Sequence, residues 1–565
     1  MANDPRKYFE NRRRVLKQQR QPWDARAEEI ARYEFPELGR FNKNSSQTDL
    51  GQSKREAIIN NMLTQYGLIL RAGMLSGMTS PVRPWLRLGT LDTALSKFLP
   101  VRRWLDFVGK RLLAQFSSSN VYRAIGNVYM ECGYFGANVM FLQEDVDDVI
   151  RGYGSTWGEF VLGIDYRGEV NTVYREGSMT VWSLVDAFKL DNVSAYVKDC
   201  YNKGHYDKII DIVHCVEPHQ NDIDGVEFRL KQWKWRSVYY ECGEKGAGKF
   251  LDVKGYDRKP FFAPRWATCS PSDVYGRYCP GIITLGDAIE LQHHEVMKAR
   301  AQEMQTDPAI LVPSTHSYGV KIGPSAVTRY DVTQGDPAIR PMFEVKYNVD
   351  HSRMSINDIQ ERGKTAYHVD LFRAVMEVRA RSVSTQITAR EVDQLEKEGL
   401  VQLGPVTESF DDELLDPFIE SAFSIQLANG DYPPPPKELE GQPLKVEYLG
   451  LIHQAQKLVG LLPFDRVHQF AGQIVEITQD ATIFDVINKD EAVREYADMA
   501  GYPPDLIRDD QELAAFRQQR QQMMQAAQAL ELAGNAADTA RTMSEIPADN
   551  SGNALGRVLE GAGVA

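Results

Sequence analysis

The 565-residue sequence is short of positive charge: 65 Lys and Arg stand against 78 Asp and Glu, a formal net charge of −13. That excludes a chain whose bulk role is to condense nucleic acid, because the whole-chain field repels phosphate. Any handling of a polyanion must rest on local basic groups, or on the polyanion not sticking. Long apolar runs are also missing. A membrane span needs ~18 apolar residues, and the best candidate, residues 58–70, is interrupted by Asn60, Asn61, Thr64 and Gln65. The start, Met1 to Lys7, has no apolar core of the signal-peptide kind. Cysteine is sparse: Cys132, Cys200, Cys215, Cys242, Cys269 and Cys279 are widely spaced and form no C-x-x-C pair. This predicts reduced thiols in a protein made in the cytosol, soluble and intracellular when it folds, and argues against a zinc ribbon.

Catalytic motifs are lacking in the same way. Gly243-Glu244-Lys245-Gly246-Ala247-Gly248-Lys249 approximates a phosphate-binding loop, but Phe250 stands where a Ser or Thr must ligate Mg²⁺. The stretch after it, Leu251 to Tyr256, reads as a strand, not as the helix whose N-terminus would face phosphate. A Gly-rich hairpin turn is the better reading. His293-His294-Glu295 lacks the second histidine of a zinc protease, because position 298 is Lys. His214, Cys215 and His219 have no second pair to complete a tetrahedral set. No G-x-S-x-G nucleophile motif occurs. No metal, no cofactor and no enzymatic activity are expected.

What is present is an ordinary globular composition, 43% hydrophobic, 25% charged and 10% aromatic, enough for three or four folding units at roughly 150 residues each. The fold class predicted is α+β, mainly helical. Residues 6–132 carry helical spacing, with apolar faces over 59–74, at Val101, Trp104, Leu105, Val108 and Leu112, and from Val121 after a Ser-Ser-Ser-Asn cap signal. Residues 136–275 read as β-rich, interrupted by one helix over about 181–197. Then come a long helix over 282–305, a compact insert, and a second long helix over 352–378. A polar stretch, 379–387, is next. Thr388 and Glu391 form a capping box for a further helix, with a kink at Gly404-Pro405 and an end at Asn429-Gly430. Pro433 to Pro436 is a stiff spacer. The rest is helical and Gln/Ala-rich, with Leu513, Phe516, Met523, Ala527 and Leu530 on one face and a Gly534-Asn535 stop. Two basic features are weighed as ordinary surface. Lys231 to Arg236 alternates basic and aromatic groups, as a strand with one packed face does. Arg12, Arg13, Arg14, Lys17 and Arg20 form a solvated or interface face balanced by Glu28 and Glu29.

The order of parts carries the functional information. Together with Thr79-Ser80-Pro81-Val82-Arg83-Pro84-Trp85, Tyr275-Gly276-Arg277, Asp307-Pro308, Asp370-Leu371-Phe372, Thr388-Ala389-Arg390-Glu391-Val392, Leu403-Gly404-Pro405, Glu413-Leu414-Leu415-Asp416-Pro417 and Gly501-Tyr502-Pro503, it resembles the portal (head-to-tail connector) proteins of short-tailed bacteriophages. The match is colinear over nearly the whole chain. The resemblance implies a wing over 1–280, with the β-rich part at 136–275, and a first stem helix at 281–306. It implies a clip at 307–350, a second stem helix at 351–378 and a tunnel loop at 379–387. A kinked wing helix and return would occupy 388–465, and a helical crown and tail 466–565.

It further implies a homo-oligomeric ring, usually of twelve copies, at one capsid vertex of the virion, made in the host cytoplasm. Its partners would be the major capsid protein and scaffold, the terminase large subunit, tail adaptor or nozzle proteins, and double-stranded DNA passing through, with no membrane. Arg379, Arg381, Ser382, Ser384, Thr385 and Gln386 are the tunnel-loop candidates facing DNA. The alternative for the two arginines is ion pairing between subunits with Glu391, Glu396 or Glu398. Thr315, His316, Tyr318 and Lys321 are candidate clip contacts to terminase or tail. Competing functions are a nucleotide-driven motor or nuclease, and a virion scaffold or adaptor that does not handle DNA.

Overall fold

The protein, seen in a computed structural model, is described over residues 5–41, 58–92, 98–219, 233–243, 250–314, 323–331, 339–342, 349–381, 399–439, 441–459, 490–493 and 512–527, and at 95, 321, 488 and 529. The chain divides into two compact units, Met1–Ile483 and Phe484–Ala565.

The first unit is α+β. Its N-terminal part holds α1 (Pro5–Tyr33), α2 (Met62–Gly77), β1 (Leu86–Thr90), α3 (Leu99–Ser118) and α4 (Val121–Phe135). Periodicity dictates the packing here: Val101, Trp104, Leu105, Val108 and Leu112 of α3 are all buried, since residues three and four apart share one helix face. The Asn120 side chain does not cap α4. It pairs instead with the backbone of Gly152, donating to its carbonyl at 2.8 Å and accepting its N–H at 2.8 Å. Gly136 ends α4 at φ 88°, where a Cβ would lie 2.5 Å from the Gly276 carbonyl oxygen. β1 is a departure from the all-helical expectation for this stretch. Its antiparallel partner, β13 (Leu444–Tyr448), lies far along the chain, with Leu88 opposite Val446.

The β-rich part contains β2 (Met140–Asp145), β3 (Val149–Gly154), β4 (Phe160–Ile164), β5 (Val170–Thr180), β6 (Ile209–Pro218), β7 (Trp235–Glu241), β8 (Asp252–Tyr256) and β9 (Phe261–Phe262). These form an antiparallel meander, β4-β5-β6-β7-β8, and a smaller sheet, β3-β2-β9. The single helix expected over 181–197 is two short ones, α5 (Val181–Phe188) and α6 (Ala195–Asn202). Lys189 turns the chain at φ 65°, and Ser194 restarts the helix by accepting the Val197 N–H at 3.3 Å. The basic face of α1 docks on this sheet. Lys17 meets Glu176 at 2.7 Å, Arg13 meets the same carboxylate at 3.5 Å, and Arg20 pairs with Asp24 at 2.8 Å. The balancing acids are therefore Glu176 and Asp24, not Glu28 and Glu29. Arg236 is buried against Glu217, its cross-strand partner, at 2.8 Å from Nε and lies over the rings of Tyr8 and Phe9.

Next come α7 (Pro280–Thr306), a small sheet of β10 (Ile310–Ser314), β11 (Val327–Asp331) and β12 (Arg340–Pro341), and α8 (Val349–Ala366). β10 lies between a parallel β11 and an antiparallel β12. Pro280 suits the first helical position of α7, where its missing N–H costs no hydrogen bond, and the helix is about 40 Å long. Arg362, near the end of α8, meets Asp287 at 2.7 Å and Glu290 at 3.4 Å near the start of α7. The two helices therefore run antiparallel.

The second long helix is not continuous. It breaks at Tyr367 and His368, the latter at φ 51°, and resumes as α9 (Val369–Arg381). Redirected, α9 packs Phe372 against α2 at Gly73, where a Cβ would lie 2.3 Å from the ring. Beyond it, a 3₁₀ turn (Leu400–Leu403) leads into α10 (Gly404–Phe410), so the expected irregularity at Gly404-Pro405 is a change of helix type. A π-turn (Asp411–Leu415) then joins α11 (Asp416–Ala428), with the Asp416 N–H donating to the Asp411 carbonyl five residues back. Pro417 accounts for it: with no N–H, it leaves the Glu413 carbonyl without its usual helical donor. After β13, α12 (Leu451–Val459) closes the described part of this unit. In the second unit, a helix over 512–527 exposes Phe516, Met523 and Met524, and Arg517 pairs with Asp490 at 2.5 Å.

Phe372 is fully buried, so Phe372→Ala should cost about 3–5 kcal/mol. Gly73→Val should be at least as harmful, through overlap with the same ring. Urea unfolding followed by tryptophan fluorescence measures both.

Candidate functional site

The helical pair is rooted at one buried joint. Glu34, just past the end of α1, is 1% exposed. Its Oε2 accepts the Tyr367 hydroxyl at 2.6 Å, and its Oε1 lies 3.0 Å from the Thr284 Oγ1. Thr284 also donates to the Pro280 carbonyl one turn back, at 2.8 Å. A hydroxyl has one proton. The Thr284 proton is shared between the Glu34 carboxyl and the Pro280 carbonyl. Burial pushes the Glu34 pKa up to about 8, the Asp287 charge adds to the rise, and hydrogen bonds from the two hydroxyls oppose it. The Glu34 carbonyl accepts from Thr64 at the head of α2, and Tyr134 of α4 donates to the Leu63 carbonyl at 3.0 Å. The rings of Tyr134 and Tyr367 pack 5.5 Å apart. Gly281 completes the approach, since a Cβ there would stand 2.6 Å from the Tyr134 carbonyl oxygen. Five elements thus converge: α1, α2, α4, the start of α7 and the break between α8 and α9.

A second anchor ties the π-turn to the β-rich part. Arg265 receives Glu413 through both its backbone N–H, at 2.8 Å, and its Nε, at 2.9 Å, while its Nη1 donates to the Asp273 carbonyl at 2.8 Å. Bidentate use of a planar guanidinium fixes orientation as well as distance.

The predicted site residues divide sharply. The backbone of α9 continues through Arg381, so Arg379 and Arg381 sit on its last turn, not at the start of a loop. Ser382, Ser384, Thr385, Gln386, Thr388 and Glu391 lie outside the described residues, as do Thr315, His316 and Tyr318. Lys321 is exposed, and its backbone N–H donates to Thr328 Oγ1 at 3.0 Å. Of the glycine-rich stretch, Glu244 to Lys249 lies outside the described residues, and the next element of the chain is strand β8. His214 is a core residue, 2.8 Å from Ser237 Oγ and stacked on Tyr239 at 3.9 Å between centroids. Among the described residues, no group of three His, Cys, Asp or Glu side chains is placed to hold a metal ion, and no helix is long and apolar enough to cross a membrane. Sequence reasoning missed Glu34. The available signal was an acid inside the aromatic run Tyr33-Glu34-Phe35 at the end of a helix.

This framework can be set beside known proteins. The family model described as bacteriophage head to tail connecting protein matches residues 6–507. The chain belongs to that family. It is 36% identical over 478 residues to the portal protein of Salmonella phage epsilon15, covering 84% of each chain. It is 33% identical over 542 residues to the probable portal protein of Bordetella phage BPP-1, covering 96% of each. The function is that of a phage portal: a structural connector at the capsid vertex of the virion, not an enzyme.

The Glu34 joint predicts a pH dependence. The folded pKa, about 8, lies above the ordinary 4.5, so the native state holds a proton that the unfolded chain releases. Stability from this group is full below the lower value, falls as pH rises between the two, and is lost above the higher, on the order of 5 kcal/mol in all. Denaturation of wild type and Glu34→Gln across that range should show the gap between them shifting in favour of the Gln variant as pH rises. A constant gap would contradict a buried neutral carboxyl.

Proposed function

We propose that this chain assembles head to tail into a closed ring of about twelve copies, through which double-stranded DNA passes during packaging and ejection. In this reading α7 and the segment 351–378 are the stem, with its second helix bent at His368. Residues 307–350 are the clip, 379–387 the tunnel-loop segment with its first three residues closing α9, 1–280 with 388–465 the wing, and 466–565 the crown. Its partners are the major capsid protein and scaffold at the vertex, the terminase large subunit during packaging, and tail adaptor or nozzle proteins afterwards.

The observation that carries the proposal is the antiparallel pair, α7 and α8, with a small sheet at its far end and the Glu34 joint at its root. Such a pair can line a pore when repeated by rotation. A conduit must also let a polyanion slide, and each fixed phosphate contact would tighten binding through counterion release. The net charge of −13 fits that demand. Arg379 and Arg381 then supply a few local contacts where the helix ends.

Sedimentation of the purified chain should give a ring-sized species that survives dilution, and negative staining should show a flanged ring with an axial hole. A stable monomer at high concentration and moderate salt would defeat the proposal. Replacing Arg379 and Arg381 together with Ala should leave the ring intact and alter DNA packaging or retention. Loss of the ring instead would make them interface residues.

A further inference from the structure

A cleft of about 570 Å³ opens in the first unit between residues 37–40, α4 and the stretch from the end of β3 to Glu159. It is polar, and its chemistry is unbalanced. On its wall Glu131 is only 4% exposed, and its carboxyl accepts from two neutral donors, the Thr156 hydroxyl at 2.5 Å and the Trp157 N–H at 3.2 Å. Among the described residues no cation pairs with it. The nearby cation, Arg40, is already committed to Glu159 at 2.6 Å. Also on the lining, Ser155 is 5% exposed, and its Oγ has no hydrogen-bond partner among the described residues. A buried hydroxyl left unpaired costs about 1–3 kcal/mol, which a ligand atom would recover. Gly154 keeps the space clear, since a Cβ there would meet nothing within 4 Å.

We propose that this cleft binds an organic cation, an alkylammonium or guanidinium group, seated against the Glu131 carboxylate with the Ser155 hydroxyl as a second acceptor. One carboxylate and one hydroxyl do not make a metal site, and among the described residues no three-ligand group exists. An anion would meet Glu131 first, with only Arg123 at the rim to attract it. An N–H-rich cation pairs the buried carboxylate and the orphan oxygen together, and the volume leaves room for its carbon chain. This site is independent of the ring reading.

The binding carries a pH signature. The charged groups around Glu131 are Glu37, Arg40, Arg123 and Glu159. Burial, aided by the Glu159 charge and opposed by the two hydrogen bonds, raises the Glu131 pKa to about 7. A cation needs the ionised form. Its affinity should therefore climb about tenfold per pH unit below that value and level off above it.

The test is thermal unfolding of the full chain in propylammonium chloride, against sodium chloride and tetramethylammonium chloride at equal ionic strength. Propylammonium alone should raise the Tm, by a larger margin on the alkaline side of the Glu131 pKa than on the acid side. Glu131→Gln, an isosteric change, and Gly154→Phe, which fills the cleft, should each remove the increment. Equal Tm values in propylammonium and sodium, or an increment that survives Glu131→Gln, would overturn the proposal. Should Gly154→Phe fail to fold, Glu131→Gln alone decides. An increment in both free and assembled subunits assigns the site to a small ligand; one confined to free subunits assigns it to a cationic side chain of a neighbouring copy.

Discussion

A carboxyl buried with no counter-ion among the described residues constrains how five elements meet. Glu34 sits where α1, α2, α4, α7 and the break between α8 and α9 meet, and it binds Thr284 and Tyr367 at once. Removing a charged carboxylate from water with only hydroxyl partners is prohibitive, so the group keeps its proton and behaves as a neutral cross-link. That choice sets the geometry around it. Thr284 must lie on the inner face of α7, Tyr367 must reach inward, and the chain after Tyr367 must turn away. The left-handed His368 meets this requirement: a straight helix would carry residues 369–381 out past the start of α7, whereas the turn brings Phe372 onto Gly73 of α2.

How far this was readable in the sequence depends on whether the physics is local. Helix faces were readable because burial repeats every three or four residues, and every apolar position picked out on α3 is in the core. The long α7 was readable too, expected over 282–305 and ended by Asp307-Pro308, and it is found over Pro280–Thr306. The break at Tyr367-His368 was not, because no Gly or Pro marks it and apolar spacing continues on both sides. The pairing of β1 with β13 was also hidden, since nothing in Leu86–Thr90 names a partner at 444–448. Glu34 reads locally as a surface acid at a helix end. Only the tertiary convergence of five elements makes it a joint. Apart from Arg379, Arg381 and Lys321, the loop residues picked out for function lie outside the described residues, so the chemistry proposed there stands on the sequence alone.

Asn120 makes the same point on a smaller scale. A Ser-Ser-Ser-Asn run before a helix predicts a side chain turned onto the first free N–H groups. In the fold, Gly152 of β3 offers both a donor and a carbonyl within 2.8 Å. A two-point amide pair with a strand outcompetes a single cap bond, and it fixes α4 to the sheet.

The fate of the basic residues bears on how an acidic chain handles DNA. Several basic residues of α1 and β7 are paired inside the protein. Arg13 and Lys17 meet Glu176, Arg20 meets Asp24, and Arg236 is buried on Glu217 beneath Tyr8 and Phe9. Freeing Arg13, Lys17 or Arg236 would break a pairing that holds α1 to the sheet or β6 to β7, and at the buried Arg236–Glu217 pair the charge left alone costs several kcal/mol. They are structural cations. One allocation of charge thus serves the fold: arginines spent on orienting helices against sheets are withheld from the surface.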